Sequence, residues 1–189
     1  MTGAGLLEVM GCWYFGNVSI GGKSWETPRG MEEKMETQWG PIDLFVCDRQ
    51  GKKRGDKRMT VDIEPKWNPH VVADMNALPF DSRAFRFSFW DPPYDRPYGK
   101  AWNEVKRVSD ELAAGLHWYI LPAGVGWKLA AVVPIVSGGT WHRVRALTVV
   151  RRLQGPELEA QAEKKAAKRQ RRSAFKKQAR LDQLERQAT

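Results

Sequence analysis

The chain has 189 residues, 42% of them hydrophobic and 28% charged, with a net charge of +9. That is enough apolar material for one domain with a buried core plus a tail, and it sets aside an intrinsically disordered chain. No apolar run reaches the roughly 18 residues that cross a bilayer, and the start, MTGAGLLEVMGCW, lacks the basic region of a secretory leader, so a cytoplasmic protein with no membrane partner is expected.

The charge is unevenly placed. Residues 151–189 hold 12 Lys/Arg against 5 Asp/Glu, which leaves an excess of only 2 basic residues for the first 150. A nearly neutral domain with a basic tail points to a polyanion, most simply nucleic acid; the alternative is a solvated charged helix. Cys12 and Cys47 match neither a metal-ligand pattern nor a disulfide framework. His70, His117 and His142 are far apart in the chain and read as structural or surface residues. No metal is expected.

Residues 1–40 are rich in Gly, Trp and Met without a sustained period. They read as a loop-rich extension with at most a short strand or helix. Gly22-Lys23-Ser24 invites a phosphate-loop reading, but that motif needs Gly at position 17, which is Asn17. From residue 42 short β-branched and aromatic runs recur between turn signals: IDLFVC (42–47), MTVDI (59–63), HVVAD (70–74) and AFRFSFW (84–90). They are continuous rather than alternating, as strands buried on both faces are.

The next stretch, AWNEVKRVSDELAAGL, places Val105, Val108, Leu112 and Leu116 at helical spacing, with Gly115 as its stop. LHWYIL (116–121), WKLAAVVPIVS (127–137) and RVRALTVVRR (143–152) read as closing strands, with a reversal at Gly138-Gly139. The expected class is α/β: a mainly parallel open sheet with an antiparallel edge pair. Only about six residues join VDI to HVVAD, short for a parallel crossover, so that link is expected to be a bare loop. The Ala-, Lys-, Arg- and Glu-rich stretch 156–188 predicts a basic, exposed helical tail; KKAAKRQRR within it also has the composition of a nuclear-import patch. The expected organisation is an extension (1–40), a sheet domain (41–153) and a tail (154–189).

Ligands of open α/β sheets bind beyond the carboxyl ends of the strands. Asp62, Asp74 and Asp91 fall at three predicted strand ends. Each alone reads as a turn or cap residue; three in order, the last in Asp91-Pro92-Pro93-Tyr94, make a site.

Asp91-Pro92-Pro93-Tyr94 resembles the fourth motif of class I S-adenosylmethionine-dependent methyltransferases that methylate exocyclic amino groups of nucleic-acid bases. IDLF, VDIEP and HVVADMNALPF resemble the first three motifs in order, and LHWYILPAG with RVRALTVVRR resembles the closing strands of small DNA-methylase-like members. The resemblance covers roughly residues 40–152 and implies a Rossmann-like fold with S-adenosyl-L-methionine as cofactor. It implies Asp43, Phe45, Asp62, Ile63, Asp74, Met75 and Asp91 around that cofactor, with Asp62 on the ribose and Asp74 and Met75 on the adenine. Asp91 and the Pro92 carbonyl would accept hydrogen bonds from the reacting amine, which favours the developing positive nitrogen. Pro92 and Pro93 fix the turn, and Tyr94 would stack on an extruded base. Tyr98 and Trp102 would extend an aromatic platform, the alternative being that they pack the following helix. Adenine in DNA is implied ahead of an RNA base, with Lys164, Lys165, Arg169, Arg171 and Arg172 of the tail on phosphates.

The first motif departs from the pattern. IDLFVCDRQGKKRG has no glycine directly after the strand; Gly51 and Gly55 come later, and the link is short for a helix, so a reduced first helix is expected. That departure supports the alternative of a fold that binds nucleic acid without catalysis.

Overall fold

The apolar runs at 42–47, 59–62 and 87–90 are largely covered on both faces, and this is why they do not alternate, whereas those at 70–74 and 128–132 are exposed or half-buried. In the computed structural model, which describes residues 11–17, 27–28, 30–47, 58–93, 98–138 and 143–188, the strands are β1 (Trp13–Asn17), β2 (Leu44–Val46), β3 (Met59–Asp62), β4 (Val71–Val72), β5 (Phe85–Trp90), β6 (Ser109–His117), β7 (Trp127–Gly138) and β8 (Arg143–Arg152). The helices are α1 (Met31–Trp39), α2 (Gly99–Val108) and α3 (Pro156–Ala188). The chain divides into two units: residues 1–123 with 128–152, and residues 124–127 with 153–189.

Among the described residues the first unit is built on one eight-stranded sheet, ordered β1-β7-β8-β6-β5-β2-β3-β4. β4, β3, β2, β5 and β6 run parallel, and β8 returns antiparallel against β6. This is a Rossmann-like α/β sheet. After β2 the chain steps outward through β3 and β4, then re-enters on the other side of β2 as β5. The crevice between the carboxyl ends of β2 and β5 is therefore the topological switch point.

The link from β3 to β4 carries only a 3-10 turn, Pro65–Trp67. A bare loop suffices because just two residue pairs join the strands, Val61 with Val71 and Asp62 with Val72, so the return path is short. The expected reduced helix between β2 and β3 falls on residues 48–57, outside the described residues.

Residues 1–40 do more than loop. β1 adds a strand parallel to β7, pairing Trp13 with Ile135. In α1, Met31 and Met35 stand one turn apart and are fully buried, while Glu32 and Glu33 in its first turn complement the helix dipole. Gly40, at φ 86, ends it. Trp13, Met31 and Met35 join Phe45, Phe87, Phe89, Leu116 and Leu147 in one hydrophobic core. A buried Arg58–Glu32 ion pair at 2.7 Å ties α1 to the start of β3.

A second departure lies after β5. The helical spacing predicted through Leu116 stops at Val108, where the Ser109 hydroxyl donates to the Val105 carbonyl at 2.6 Å and the backbone becomes extended. Leu112 and Leu116 lie in β6, not on the helix. Gly115 is not a helix stop but a close-approach position: a Cβ there would sit 2.4 Å from Leu121 Cδ1 and 3.2 Å from the Trp90 ring. Pairing with β5 overrides a local period that suited either element.

The second unit carries α3, whose side chains, where described, are exposed apart from the half-buried Gln161. Gln161 accepts from Gly126 N at 2.7 Å and donates to the Trp127 carbonyl at 3.2 Å, which fixes the first turns of the helix to the 124–127 turn. No described helix is long and apolar enough to cross a membrane.

Candidate active site at the carboxyl edge of the sheet

Asp91 follows β5 directly, and its amide donates to the Val46 carbonyl across the switch point at 3.3 Å. β5 is buried from Phe87 to Trp90. Phe87 and Phe89 enter the core shared with α1, whereas Trp90 stacks on Trp102 of α2, with ring centroids 5.8 Å apart and planes at 17°. A strand held this firmly from both faces delivers the carboxylate of Asp91 to a defined place. That carboxylate is buried and engaged: the Thr27 hydroxyl donates to Oδ2 at 2.5 Å, and the Arg145 guanidinium of β8 lies 3.9 Å from Oδ1, both side chains being 3% exposed. Pro92 is buried and Pro93 half-buried. Tyr94 lies outside the described residues.

Around the other side of these strand ends lie aromatic rings. His117, the last residue of β6, packs between Tyr98, at 4.0 Å, and Tyr119, at 4.1 Å. Tyr98 also meets Trp90 edge-on at 5.9 Å. Burial lowers the His117 pKa to about 4, so the imidazole is neutral at physiological pH. The loop after β6 is pinned at its base. Trp102 Nε1 donates to the Pro122 carbonyl at 2.8 Å, Lys106 Nζ to the Ala123 carbonyl at 2.9 Å, and Leu121 N to the Thr148 hydroxyl at 3.0 Å. Desolvation pushes the Lys106 pKa down. Held this way, the loop leaves Trp118, Tyr119 and Ile120 exposed.

On the β2–β3 side, Asp62 ends β3, is buried, and accepts from Glu64 N at 2.8 Å. Ile63 beside it is exposed. Asp74 is exposed and closes its own turn, accepting from Asn76 N at 2.8 Å. Met75 is buried, its sulfur 3.6 Å from the Cys47 thiol. The loop that follows is clamped by Arg107 of α2, which donates to the Leu78 and Phe80 carbonyls at 2.9 and 2.8 Å. Glu104 accepts from both Arg107 and Leu78 N, and chiefly its hydrogen bond with Arg107 draws its pKa below the ordinary value. The turn after β2 begins at Cys47, whose φ of 67 is left-handed. For a residue with a Cβ that conformation costs about 1–2 kcal/mol; residues 48–57 beyond it lie outside the described residues.

Three residues expected at the site do other work. Asp43 stands at the amino end of β2, the edge opposite the switch point; its carboxylate accepts from Phe87 N at 2.9 Å, and its carbonyl from Met59 N at 2.8 Å. It joins three strands and cannot meet a ligand at the carboxyl edge. Phe45 is a core residue, 4.7 Å from the Phe89 ring. Trp102 is 2% exposed within the Trp90 stack and offers no face to a nucleotide. Lys164, Lys165, Arg169, Arg171 and Arg172 all lie exposed on α3. Thr27 and Arg145 escaped the sequence reading because they come from distant parts of the chain, and His117 and Tyr119 because their segment, LHWYIL, reads as a closing strand with His117 a structural or surface residue.

No protein-family model matches the chain, and no curated protein matches it. Among solved structures, a SAM dependent methyltransferase from Aquifex aeolicus is similar, at 15% identity and a TM-score of 0.44 over 65% of this chain and 90% of the other.

The carboxyl edge can be tested for fit to a nucleoside-containing cofactor. A buried carboxylate at the end of β3 and a buried thioether against Cys47 suit the adenosine part. Asp62, Ile63, Asp74 and Met75 would hold that part; Asp43 and Phe45 would not.

Proposed function

We propose that this protein is an S-adenosylmethionine-dependent methyltransferase acting on an exocyclic amino group of a nucleic-acid base, with adenine N6 in DNA as the first candidate. The observation that carries the reading is the Asp91-Pro92-Pro93 segment at the switch point, delivered by a strand buried on both faces whose last residue, Trp90, meets Tyr98 of the Tyr98, His117 and Tyr119 ring cluster. When bound, the cofactor supplies an electrophilic methyl group. The chain's own residues orient the amine. The Asp91 carboxylate accepts one N–H and the Pro92 carbonyl a second, which favours a pyramidal nitrogen as positive charge develops on it. Neither proline offers an N–H to compete. Arg145 holds the carboxylate in place, and the amine takes the acceptor position that Thr27 fills. Tyr98 and Tyr119 give an aromatic wall against which a planar base can rest.

Titration calorimetry with S-adenosylmethionine tests the cofactor half; no heat at millimolar ligand would sink the enzyme reading. Asp91→Asn keeps the shape and removes the charge. It is expected to retain cofactor binding and lose about 100-fold or more in turnover, in the range of other pre-organised electrostatic groups. A base modification that persists unchanged in DNA and RNA from cells expressing Asp91→Asn would remove Asp91 from the mechanism.

A second reading is a fold that binds nucleic acid without catalysis. The engagement of both Asp91 oxygens and the Cβ at Cys47 favour it. A chain that binds nucleic acid and gives no heat with cofactor would establish it. Modification of RNA but not DNA would instead redirect the substrate.

A further inference from the structure

Between residues 164 and 180, α3 carries nine Lys/Arg and no Asp/Glu over about 25 Å of helix. At about 100° per residue, the cations whose side chains are described fall on one half of the circumference, running from Arg171 through Lys164, Lys168, Arg172 and Lys176 to Arg180. Phe175 sits within that arc, between Lys164 and Lys168 in projection, and is 75% exposed. The opposite side carries Ala166, Ala167, Gln170 and Ala174. At the first turns of the helix an open groove of about 410 Å³ borders the arc, lined by Val125, Leu158, Ala162, Lys165 and Arg169 and, from the other side, Ala166 and Gln170.

We infer that this face of α3 binds single-stranded nucleic acid, its cations following the phosphates and Phe175 stacking on an unpaired base. The inference rests on the nucleic-acid reading above for its class of partner and adds a binding mode and a residue. Cations interleaved with an exposed aromatic ring are what a single strand offers partners for: repeated negative charge and free base faces. A membrane surface fits poorly. An interfacial helix carries its large apolar residues opposite its cations; here no large apolar residue of 164–180 falls opposite the arc, and the Phe lies among the cations.

The test is fluorescence anisotropy of the full chain with a labelled 20-nucleotide mixed-sequence single strand and with its duplex, at several salt concentrations. Six phosphate contacts would give a log–log salt slope of about −4 on the single strand. Phe175→Ala, at an exposed helical position that can lose its ring without unfolding, is expected to weaken single-strand binding about 10-fold at unchanged slope. The pair Lys168→Gln and Arg172→Gln is expected to flatten the slope by about 1.4. Wild-type affinity in Phe175→Ala, equal or tighter binding of the duplex, or binding of vesicles with phosphatidylserine in place of the oligonucleotide would each overturn the inference. Calorimetry with S-adenosylmethionine on the same preparation separates the two readings. Cofactor heat without oligonucleotide binding defeats this inference alone; oligonucleotide binding without cofactor heat defeats the enzyme reading alone.

Discussion

The two sides of the switch point are built differently. On the β5–β6 side, strands of six and nine residues are packed on both faces, and a stacked tryptophan pair anchors the loop beyond them. On the β2–β4 side the strands are three, four and two residues long, and Cys47, directly after β2, holds a left-handed φ. The side that would hold the amine is over-determined by packing. On the side that would hold the cofactor, β2 and β3 are equally buried but short, and β4 pairs over two residues with Val72 exposed. Geometry at the first should resist ligand and mutation, while the second has more room to adjust on binding.

The sharpest way to break this contrast is to remove the cation facing Asp91. Arg145→Gln leaves a buried carboxylate without its counter-charge and is expected to cost about 3–5 kcal/mol in urea unfolding. A loss below about 1 kcal/mol would mean that the β5 end is not the rigid side. His117 comes next. Its pKa of about 4 in the folded chain lies below the ordinary 6.5, so the unfolded chain binds the proton more tightly. Stability from this group is full above pH 6.5 and is lost as pH falls toward 4, by up to about 3 kcal/mol. His117→Gln should flatten that acid limb; an unchanged pH profile of the melting temperature would contradict it.

Gly115→Ala is expected to cost about 1–3 kcal/mol by pressing Leu121 and the two tryptophan rings apart, and to shift the exposed loop at Tyr119. A neutral result in thermal unfolding would show slack under the aromatic wall. The smallest effect is predicted on the other side. Cys47→Gly relieves a left-handed Cβ but adds freedom to the unfolded chain, so net stability should move by less than about 1 kcal/mol. Tighter binding of S-adenosylmethionine by this variant, read by calorimetry, would identify the first turn as the weak half; weaker binding would place the fault elsewhere.

Much of this was legible in the chain. The runs at 42–47, 59–63, 84–90 and 143–152 announce strands because continuous β-branched and aromatic residues suit few other elements. The neutral domain with a basic tail follows from counting charges. The order of Asp62, Asp74 and Asp91 after successive strands was legible, and Asp62 does end β3 and Asp91 does follow β5. What sequence alone left undecided was which end of a strand a residue occupies: Asp43 and Asp91 look alike as acids beside apolar runs, yet Asp43 precedes β2 at the amino edge while Asp91 follows β5 at the switch point. Nor could local spacing separate the end of α2 from the start of β6, since Leu112 and Leu116 satisfy a helix as well as a strand until pairing with β5 chooses. Thr27 and Arg145 meet Asp91, and Tyr98 meets His117, only because long-range pairing brings separate segments together. Sequence determined the local preferences, which depend on neighbours in the chain; tertiary structure decided the contacts, which depend on neighbours in space.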